Sequence, residues 1–186
     1  MPYQLQFADW IPVPVSEVFA FFADPENLPR LMPPQLQTKV DGFQLVAPPP
    51  PPSQNLNPIE VHHVAGAGSI IDTSLRAISW LSWRRKWTAA ITEFEWNHHF
   101  ADVQQKGPFK RWHHRHEFLE DDRNGFHGTL VRDVIEYEVG FGPLGALANT
   151  LFVRRRISQT FAHRQKMLPK LFAEGVRSST AVNKSQ

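Results

Sequence analysis

The feature that most constrains this chain is a change of hydrophobic period near residue 140. Between Ile59 and Tyr137, polar and apolar residues alternate in repeated runs that turn residues separate. Such alternation is typical of antiparallel strands with one buried face. After Gly140, apolar residues recur every three or four positions, which is the spacing of an amphipathic helix. A meander followed by one long helix predicts an α+β domain whose sheet needs the helix as a cover.

The alternating runs set the expected bounds of the strands. Asp121 to Gly125 supplies turn chemistry between the last two runs,. The predicted strands cover residues 3–10, 37–46, 59–65, 68–78, 84–95, 99–106, 110–120 and 127–138. We expect six to seven of these eight runs to form a curved antiparallel sheet that wraps around the long C-terminal helix.

Helices are predicted on both sides of the meander. Pro14 suits the first turn of a short helix, and Asp24 can cap a second one whose first position Pro25 occupies. The long helix follows Pro143, and Pro169 should kink or end it. Its apolar face consists of Leu147, Leu151, Val153, Ile157, Phe161, Leu168 and Leu171.

The length of 186 residues fits one domain,, which we expect over residues 1–174. A proline-rich segment at 48–58 cannot donate to a sheet ladder, so it is interpreted as a surface loop between strands. The run Pro48 to Pro52 could alternatively dock in the aromatic groove of a protein partner. The small and polar residues 175–186 predict a disordered tail.

Composition excludes several classes of function. The chain has no cysteine, so disulfides, thiolate nucleophiles and zinc-thiolate sites are ruled out. Its net charge of +2 gives no support for nucleic-acid binding,. With no secretory signal and no apolar run long enough to span a membrane, we expect a cytoplasmic protein. The 14 Phe and 6 Trp indicate wide apolar walls.

Polar residues are expected on the inner face of the last two strands. Trp112, His114, His116 and Phe118 alternate on one face, because side chains of a strand point to opposite sides in turn. A turn centred near Asn124 places His116 opposite Asp133 and Trp112 opposite Tyr137. Asp133 should then raise the affinity of His116 for its proton. Parity also turns Phe100, Asp102 and Gln104 inward from a neighbouring strand, with Ile91 and Glu93 from the strand before it.

This polar stripe has three alternative interpretations. It is a structural hydrogen-bond network, a set of groups that orient a ligand, or a general acid/base set for cyclisation, dehydration or hydrolysis. The catalytic candidates are His116, Asp133, His114 and Asp102. Zinc binding by His114, His116 and Asp133 is conceivable, but we predict no metal and no cofactor.

A further candidate surface lies where aromatic residues adjoin cations. Trp80 and Trp83 precede Arg84 and Arg85. Such a pattern favours the rim of a cavity, and it also suits transient contact with a membrane surface.

The order of elements and several sequence strings resemble the superfamily of START, Bet v 1 and polyketide cyclase/dehydrase proteins (SRPBCC). The resemblance covers residues 3–172. Within the superfamily, the chain is similar to a bacterial cyclase/dehydrase-like branch. Its strings are Trp10 to Phe19, Asp24 to Leu28, Gly107 to Phe109, Trp112 to Phe118, Arg132-Asp133 with Tyr137, Gly142 to Gly145 and Phe161 to Arg164. The proline run Pro48 to Pro52 departs from the family pattern.

The resemblance implies a helix-grip fold with an internal cavity for a lipophilic small molecule, such as a lipid, quinone or polyketide. Its members include carriers and enzymes, so a non-catalytic ligand-binding protein is the first hypothesis and a cyclase or dehydratase the alternative. The expected ligand-binding residues are Trp87, Ile91, Phe100, Asp102, Gln104, Trp112, His114, His116, Phe118, Asp133, Tyr137, Ile157 and Phe161.

Overall fold

A computed structural model describes residues 2–51, 63–76 and 83–182, and the side chains of the last helix to residue 173. Seven strands form one antiparallel sheet in the order β1-β7-β6-β5-β4-β3-β2. Their bounds are β1 Tyr3–Ile11, β2 Lys39–Gln44, β3 Ile70–Leu75, β4 Arg85–Glu95, β5 His99–Lys106, β6 Arg111–Glu120 and β7 Thr129–Glu138. The last strand pairs with the first, so the meander from β2 to β7 is completed by β1 at its edge.

Two short helices connect β1 to β2, as predicted. Helix α1 (Val15–Ala23) follows Pro14, and it buries Val18 and Phe19 against the sheet. The Asp24 side chain then accepts a hydrogen bond from Glu26 N, 2.9 Å, and Pro25 begins a turn of 3-10 helix that leads into α2 (Leu28–Leu31). The predicted cap is therefore confirmed, although its first turn is tighter than an α-helix.

The C-terminal helical stretch has three consecutive parts. Helix α3 (Gly142–Ala148) passes through a π-helical turn (Asn149–Val153) into α4 (Arg154–Val182). Pro169 lies inside α4, so the helix does not end there, and the alternative of a kink at this position stays a prediction. The α4 bounds also include the first residues of the predicted tail, whose disorder stays a prediction; residues 183–186 lie outside the described residues. No helix among the described residues is long and apolar enough to cross a membrane.

The largest correction concerns the predicted strand at 59–65. Its residues 63–65 lie outside any strand, and Ala65 N instead donates to Ala23 O at 2.9 Å. Residues 59–62 lie outside the described part of the chain. In the predicted loop, Pro49 O accepts a 2.6 Å hydrogen bond from Trp96 Nε1, while 52–58 are again not described.

The core below α1 is built from rings. Phe19 lies 5.0–5.8 Å from the rings of Phe94, Trp96, Phe100 and Phe118 on the inner face of the sheet. A second apolar cluster lies beneath α4, around Tyr137, Ile157 and Phe161. The polar inner residues lie between these two clusters, so helix and sheet close over them from both sides.

Candidate functional site

The sheet register brings the predicted polar residues together. Across β5, β6 and β7, Asp102 lies opposite His114, Phe100 opposite His116, and His116 opposite Asp133. Trp112 lies opposite Tyr137. The predicted pairing of β6 with β7 is therefore confirmed residue by residue.

Asp133 is the centre of a buried cluster and is fully inaccessible to solvent. His114 Nε2 donates to its Oδ1 at 3.0 Å. His116 Nδ1 lies 2.8 Å from the same oxygen, without the alignment of a hydrogen bond. On its other side, His114 Nδ1 lies 3.5 Å from Asp102 Oδ2. A carboxylate buried this deeply needs such partners, because an isolated charge in the interior costs several kcal/mol or more.

The counter-charge comes from the covering helix. Arg164 on α4 forms an ion pair with Asp133, and both side chains are buried. Its guanidinium also lies over the Phe161 ring, 4.5 Å away, and over the Phe22 ring, 5.2 Å away. Arg164 Nε has no hydrogen-bond partner among the described residues. We name Asp102, His114, His116, Asp133 and Arg164 the central cluster.

Burial controls the protonation of the central cluster. It lowers the pKa of His114 to about 4, although the Asp102 charge opposes the shift. It also lowers the pKa of His116 well below its ordinary value, with the His114 and Arg164 charges acting in the same direction. The pKa of His116 is therefore lowered overall, opposite to the rise expected from the sequence, because burial and the two positive charges disfavour the protonated ring. Burial likewise raises the pKa of Asp102 and lowers that of Arg164 to about 10.

Rings enclose the two histidines tightly. The His114 and His116 rings lie 4.0 Å apart, Phe100 lies 4.4 Å from His116, and Phe161 lies 5.5 Å from His114. Phe161 is itself stacked on Phe7 at 4.4 Å. This part of the grip is packed with side chains.

Open space lies instead at one end of the sheet. A hollow of about 480 Å³ is lined by Tyr3, Lys110, residues 138–143 and Ala146. A second hollow, of about 250 Å³, is lined by residues 83–86 with Gly107 and Pro108. Neither of these two hollows is lined by His114 or His116, and a cavity beside the histidines stays a prediction. We name the strand ends around the larger hollow, together with residues 141–156, the open end.

Tyr137 links the open end to the inner face of the sheet. Its hydroxyl donates to Asn149 Oδ1 at 2.8 Å, and both residues are buried. Its ring lies 5.5 Å from that of Tyr3, which lines the larger hollow. Burial raises the pKa of Tyr137, and the nearby Arg154 charge opposes that shift. This hydrogen bond therefore fixes the start of the π-helical turn to β7.

Comparison with protein families decides the affiliation of the chain. Residues 11–166 match the model of a family described as polyketide cyclase / dehydrase and lipid transport. The chain belongs to this family. A comparison with curated proteins gives no match.

Solved structures similar to this family member share its fold. TTHA0849 from Thermus thermophilus is 18% identical, with a TM-score of 0.56 over 90% of this chain and 95% of that one. A START superfamily protein from Mycobacterium smegmatis is 14% identical, with a TM-score of 0.57 over 92% and 97%. Norcoclaurine synthase from Thalictrum flavum, in complex with dopamine and hydroxybenzaldehyde, is 10% identical, with a TM-score of 0.55 over 91% and 88%. At these identities the likeness establishes the helix-grip fold alone.

In this member of the family, most of the expected inner residues share the inner face, but Glu93 and Gln104 have other contacts. Ile91 is buried, whereas Glu93 lies on the outer face, where it forms ion pairs with His113 and Arg115. The register shifts between Ile91 and Glu93, so a bulge reverses the parity that the sequence implied,. The Gln104 side-chain amide binds the β5–β6 turn, because it donates to Phe109 O at 2.8 Å and accepts from Phe109 N at 3.2 Å.

The aromatic candidates divide between the two regions. Trp87 and Trp112 contact each other and Phe109 near the open end, while Phe118 belongs to the core below α1. Ile157 and Phe161 are buried on α4, as predicted. Whether any of these residues contacts a ligand stays a prediction.

Two important polar residues were not among the sequence candidates. Arg164 and Asn149 lie on the C-terminal helical stretch and are buried. A signal for Arg164 was present, because it lies three residues after Phe161 and seven after Ile157, on the apolar face of the helix,. A cation at such a position predicts an inward carboxylate partner.

Three possible metal ligands come together in the central cluster. One ligand atom from each of Asp102, His114 and His116 lies within 4.8 Å of the others. The third ligand proposed from the sequence, Asp133, is engaged by Arg164, whose charge also opposes a second cation nearby,.

The membrane patch predicted from the sequence is only partly described. Trp83 is exposed and lies under the guanidinium of Arg85, 4.4 Å away. Arg84 folds back to donate to Ser74 and to Gln37 O. Trp80 lies outside the described residues, and membrane contact through this patch stays a prediction.

Proposed function

We propose that this protein binds a lipophilic small molecule, such as a lipid, quinone or polyketide, at the open end of its helix grip. The observation that carries the proposal is the hollow of about 480 Å³ between the sheet edge and α3. Small-molecule sites usually have ~300–1,000 Å³ and are lined mostly by apolar groups. The ligand is therefore expected at the open end, because rings fill the space beside the histidines.

Aromatic side chains support an apolar ligand. Tyr3 belongs both to the hollow and to the ring cluster of Tyr137, Phe109 and Trp112, whose centroids lie 4.9–6.2 Å apart. Trp112 in turn contacts His114 of the central cluster, 6.1 Å away. A ligand that extends inward from the hollow would meet these rings first and the polar groups of the cluster after them.

The alternative of a cyclase or dehydratase depends on the central cluster as an acid/base set. His114 with a pKa of about 4 is neutral at pH 7 but a weak base, and Asp133 is engaged by Arg164. Efficient general bases have a pKa near the working pH. These properties favour a network that holds helix to sheet, and we propose binding rather than turnover.

Blocking the hollow tests the proposal. Ala146→Trp places an indole in it, so the affinity for a fluorescent fatty acid should fall at least ~10-fold, since a filled pocket cannot bury the ligand. Ala162→Trp on the exposed side of α4 is the matched control and should bind like the parent. Fluorescence titration measures both, and native mass spectrometry of the parent should show the bound lipid.

Two results would contradict the proposal. One is equal affinity of the Ala146→Trp variant and the parent. The other is a parent that binds no fatty acid, quinone or aromatic polyketide in either measurement.

A further inference from the structure

The open end exposes an unusual amount of apolar surface. Phe141, Leu144, Leu147, Leu151 and Phe152 have between 53% and 89% of their surface accessible. Leu144, Leu147 and Leu151 follow one another at helical spacing, so they form a stripe along α3 and the π-helical turn,. A contiguous exposed patch of large apolar side chains marks an interaction surface in a folded protein.

Cations continue this stripe. Arg154, Arg155 and Arg156 follow directly at the start of α4, and all three are exposed. The sequence contains no Asp or Glu between Glu138 and Glu174. The helical stretch therefore presents apolar side chains and arginines together, without a carboxylate of its own to neutralise them.

The strands add further positive charge at the open end. Its pairing places the start of β2, β4 and β6 and the end of β5 at the open end, which brings Lys39, Arg85, Arg111 and Lys106 there. All four are exposed. Glu138, at the end of β7, forms an ion pair with Lys110 at 2.9 Å.

Carboxylates lie at the opposite ends of the strands. Glu95 ends β4, Glu120 ends β6, and Asp121 and Asp122 follow in the next turn. Arg123 forms an ion pair with Asp121 in this turn, so the carboxylates there are partly neutralised. The cations of the open end form the positive surface that a negative partner would meet.

We propose that the open end docks on a membrane surface containing anionic phospholipids. The arginines and lysines would contact headgroup phosphates, and Phe141, Leu144, Leu147, Leu151 and Phe152 would enter the boundary between headgroups and acyl chains. Amphipathic helices with Leu and Phe beside Lys and Arg bind membranes in this manner. Docking would place the mouth of the larger hollow against the lipid, and it goes beyond the binding of a ligand within the protein.

Vesicle binding tests this inference without any added ligand. The full chain should sediment with phosphatidylcholine vesicles that contain about one third phosphatidylglycerol, and not with pure phosphatidylcholine, because each cation near an anionic surface contributes ~1 kcal/mol. Replacing Arg154, Arg155 and Arg156 by Gln should weaken binding roughly 100-fold, which is about fivefold for each charge. The control replaces Lys166 and Lys170 by Gln, on the same helix but ~18 Å or more from Arg154, and should retain binding.

A second measurement tests whether the apolar residues enter the membrane. Because the parent has no cysteine, a dye can be attached to a single introduced one. A polarity-sensitive dye on Leu147→Cys should shift to shorter wavelength on anionic vesicles. The emission of the same dye on Phe126→Cys should not shift. Phe126 is exposed, as Leu147 is, but it lies in the turn between β6 and β7, at the opposite end of the strands.

Four outcomes would overturn the proposal. They are failure to bind anionic vesicles, binding that the arginine replacements leave unchanged, a dye shift at Phe126 rather than at Leu147, and a dimer in sedimentation velocity that Leu144→Ser dissociates. The last outcome would assign the apolar stripe to a second copy of this chain. A protein that binds a fatty acid in solution but no vesicles would refute docking alone and leave the proposed ligand binding intact.

Discussion

The central cluster and the open end lie on the same sheet and under the same helical stretch, yet they place side chains in opposite environments. In the central cluster, ionisable groups are buried: Asp133 is inaccessible, and Arg164 and the two histidines are each less than 9% exposed. At the open end, Leu144 and Phe152 are 75% and 66% exposed. Buried charge and exposed apolar surface both cost free energy, so each region needs a partner to offset that cost.

The partners are of different kinds. The central cluster is neutralised within the chain, because Arg164 from α4 meets Asp133 from β7. The apolar stripe at the open end has no such cover among the described residues. The ion pair fastens the helix to the sheet, whereas the apolar stripe stays exposed. Three predictions test this difference between the two regions.

The largest effect is expected from breaking the buried ion pair. Arg164→Met leaves the Asp133 carboxylate without its cation, so the free energy of unfolding should fall by ~3–5 kcal/mol in urea denaturation. Adding Asp133→Asn should recover part of the loss, because no unpaired charge then remains buried. The control is Arg132→Met, which breaks a partly exposed pair with Glu117 and should cost about 1 kcal/mol or less. Equal losses for the two arginines would mean that the cluster does not fasten the helix.

The second prediction uses the pH dependence of the cluster. His114 has a pKa of about 4 in the folded chain, against an ordinary value of 6.5. The unfolded chain binds the proton more readily, so the free energy of unfolding should decrease as pH falls from about 6.5 to about 4, in total by about 3 kcal/mol. The His114→Asn variant should lose that part of the dependence.

Urea titrations at several pH values measure this difference between parent and variant. The difference is the required quantity, because the raised pKa of Asp102 acts in the opposite direction at the acidic end. His127→Asn changes an exposed histidine and should keep the pH dependence of the parent. Identical profiles for the parent and the His114→Asn variant would show that the cluster is open to solvent.

The smallest effect is expected where the two regions join. Tyr137→Phe removes the hydroxyl that donates to Asn149 and leaves a buried acceptor unpaired, which should cost ~1–3 kcal/mol. Hydrogen exchange should also become faster in residues 149–153, since this bond attaches the π-helical turn to the sheet. The matched variant Tyr3→Phe, at the half-buried rim, should change stability by less than ~0.5 kcal/mol. If both variants behave alike, the open end is not anchored through Tyr137.

The register of the polar strands was predictable from the sequence. The turn at Asn124 and strict alternation place His116 opposite Asp133 and Trp112 opposite Tyr137, and the structure confirms both pairs. The prediction failed at Glu93, because a bulge after Ile91 inserts an extra residue. A signal for the bulge was present, because Thr92 and Glu93 are two polar residues in succession and the apolar positions change parity from Ile91 to Phe94.

The periodicity of the sequence is enough to predict the architecture, since a period of two residues gives the sheet and a period near 3.6 gives the helix that covers it. What lies between sheet and helix depends on how the two pack together. Arg164 is distant in sequence from Asp133, and their meeting depends on how closely α4 approaches β7. The same approach filled the space beside the histidines and left the hollow at the open end. Packing volumes depend on long-range contacts, and local periodicity carries no information about them.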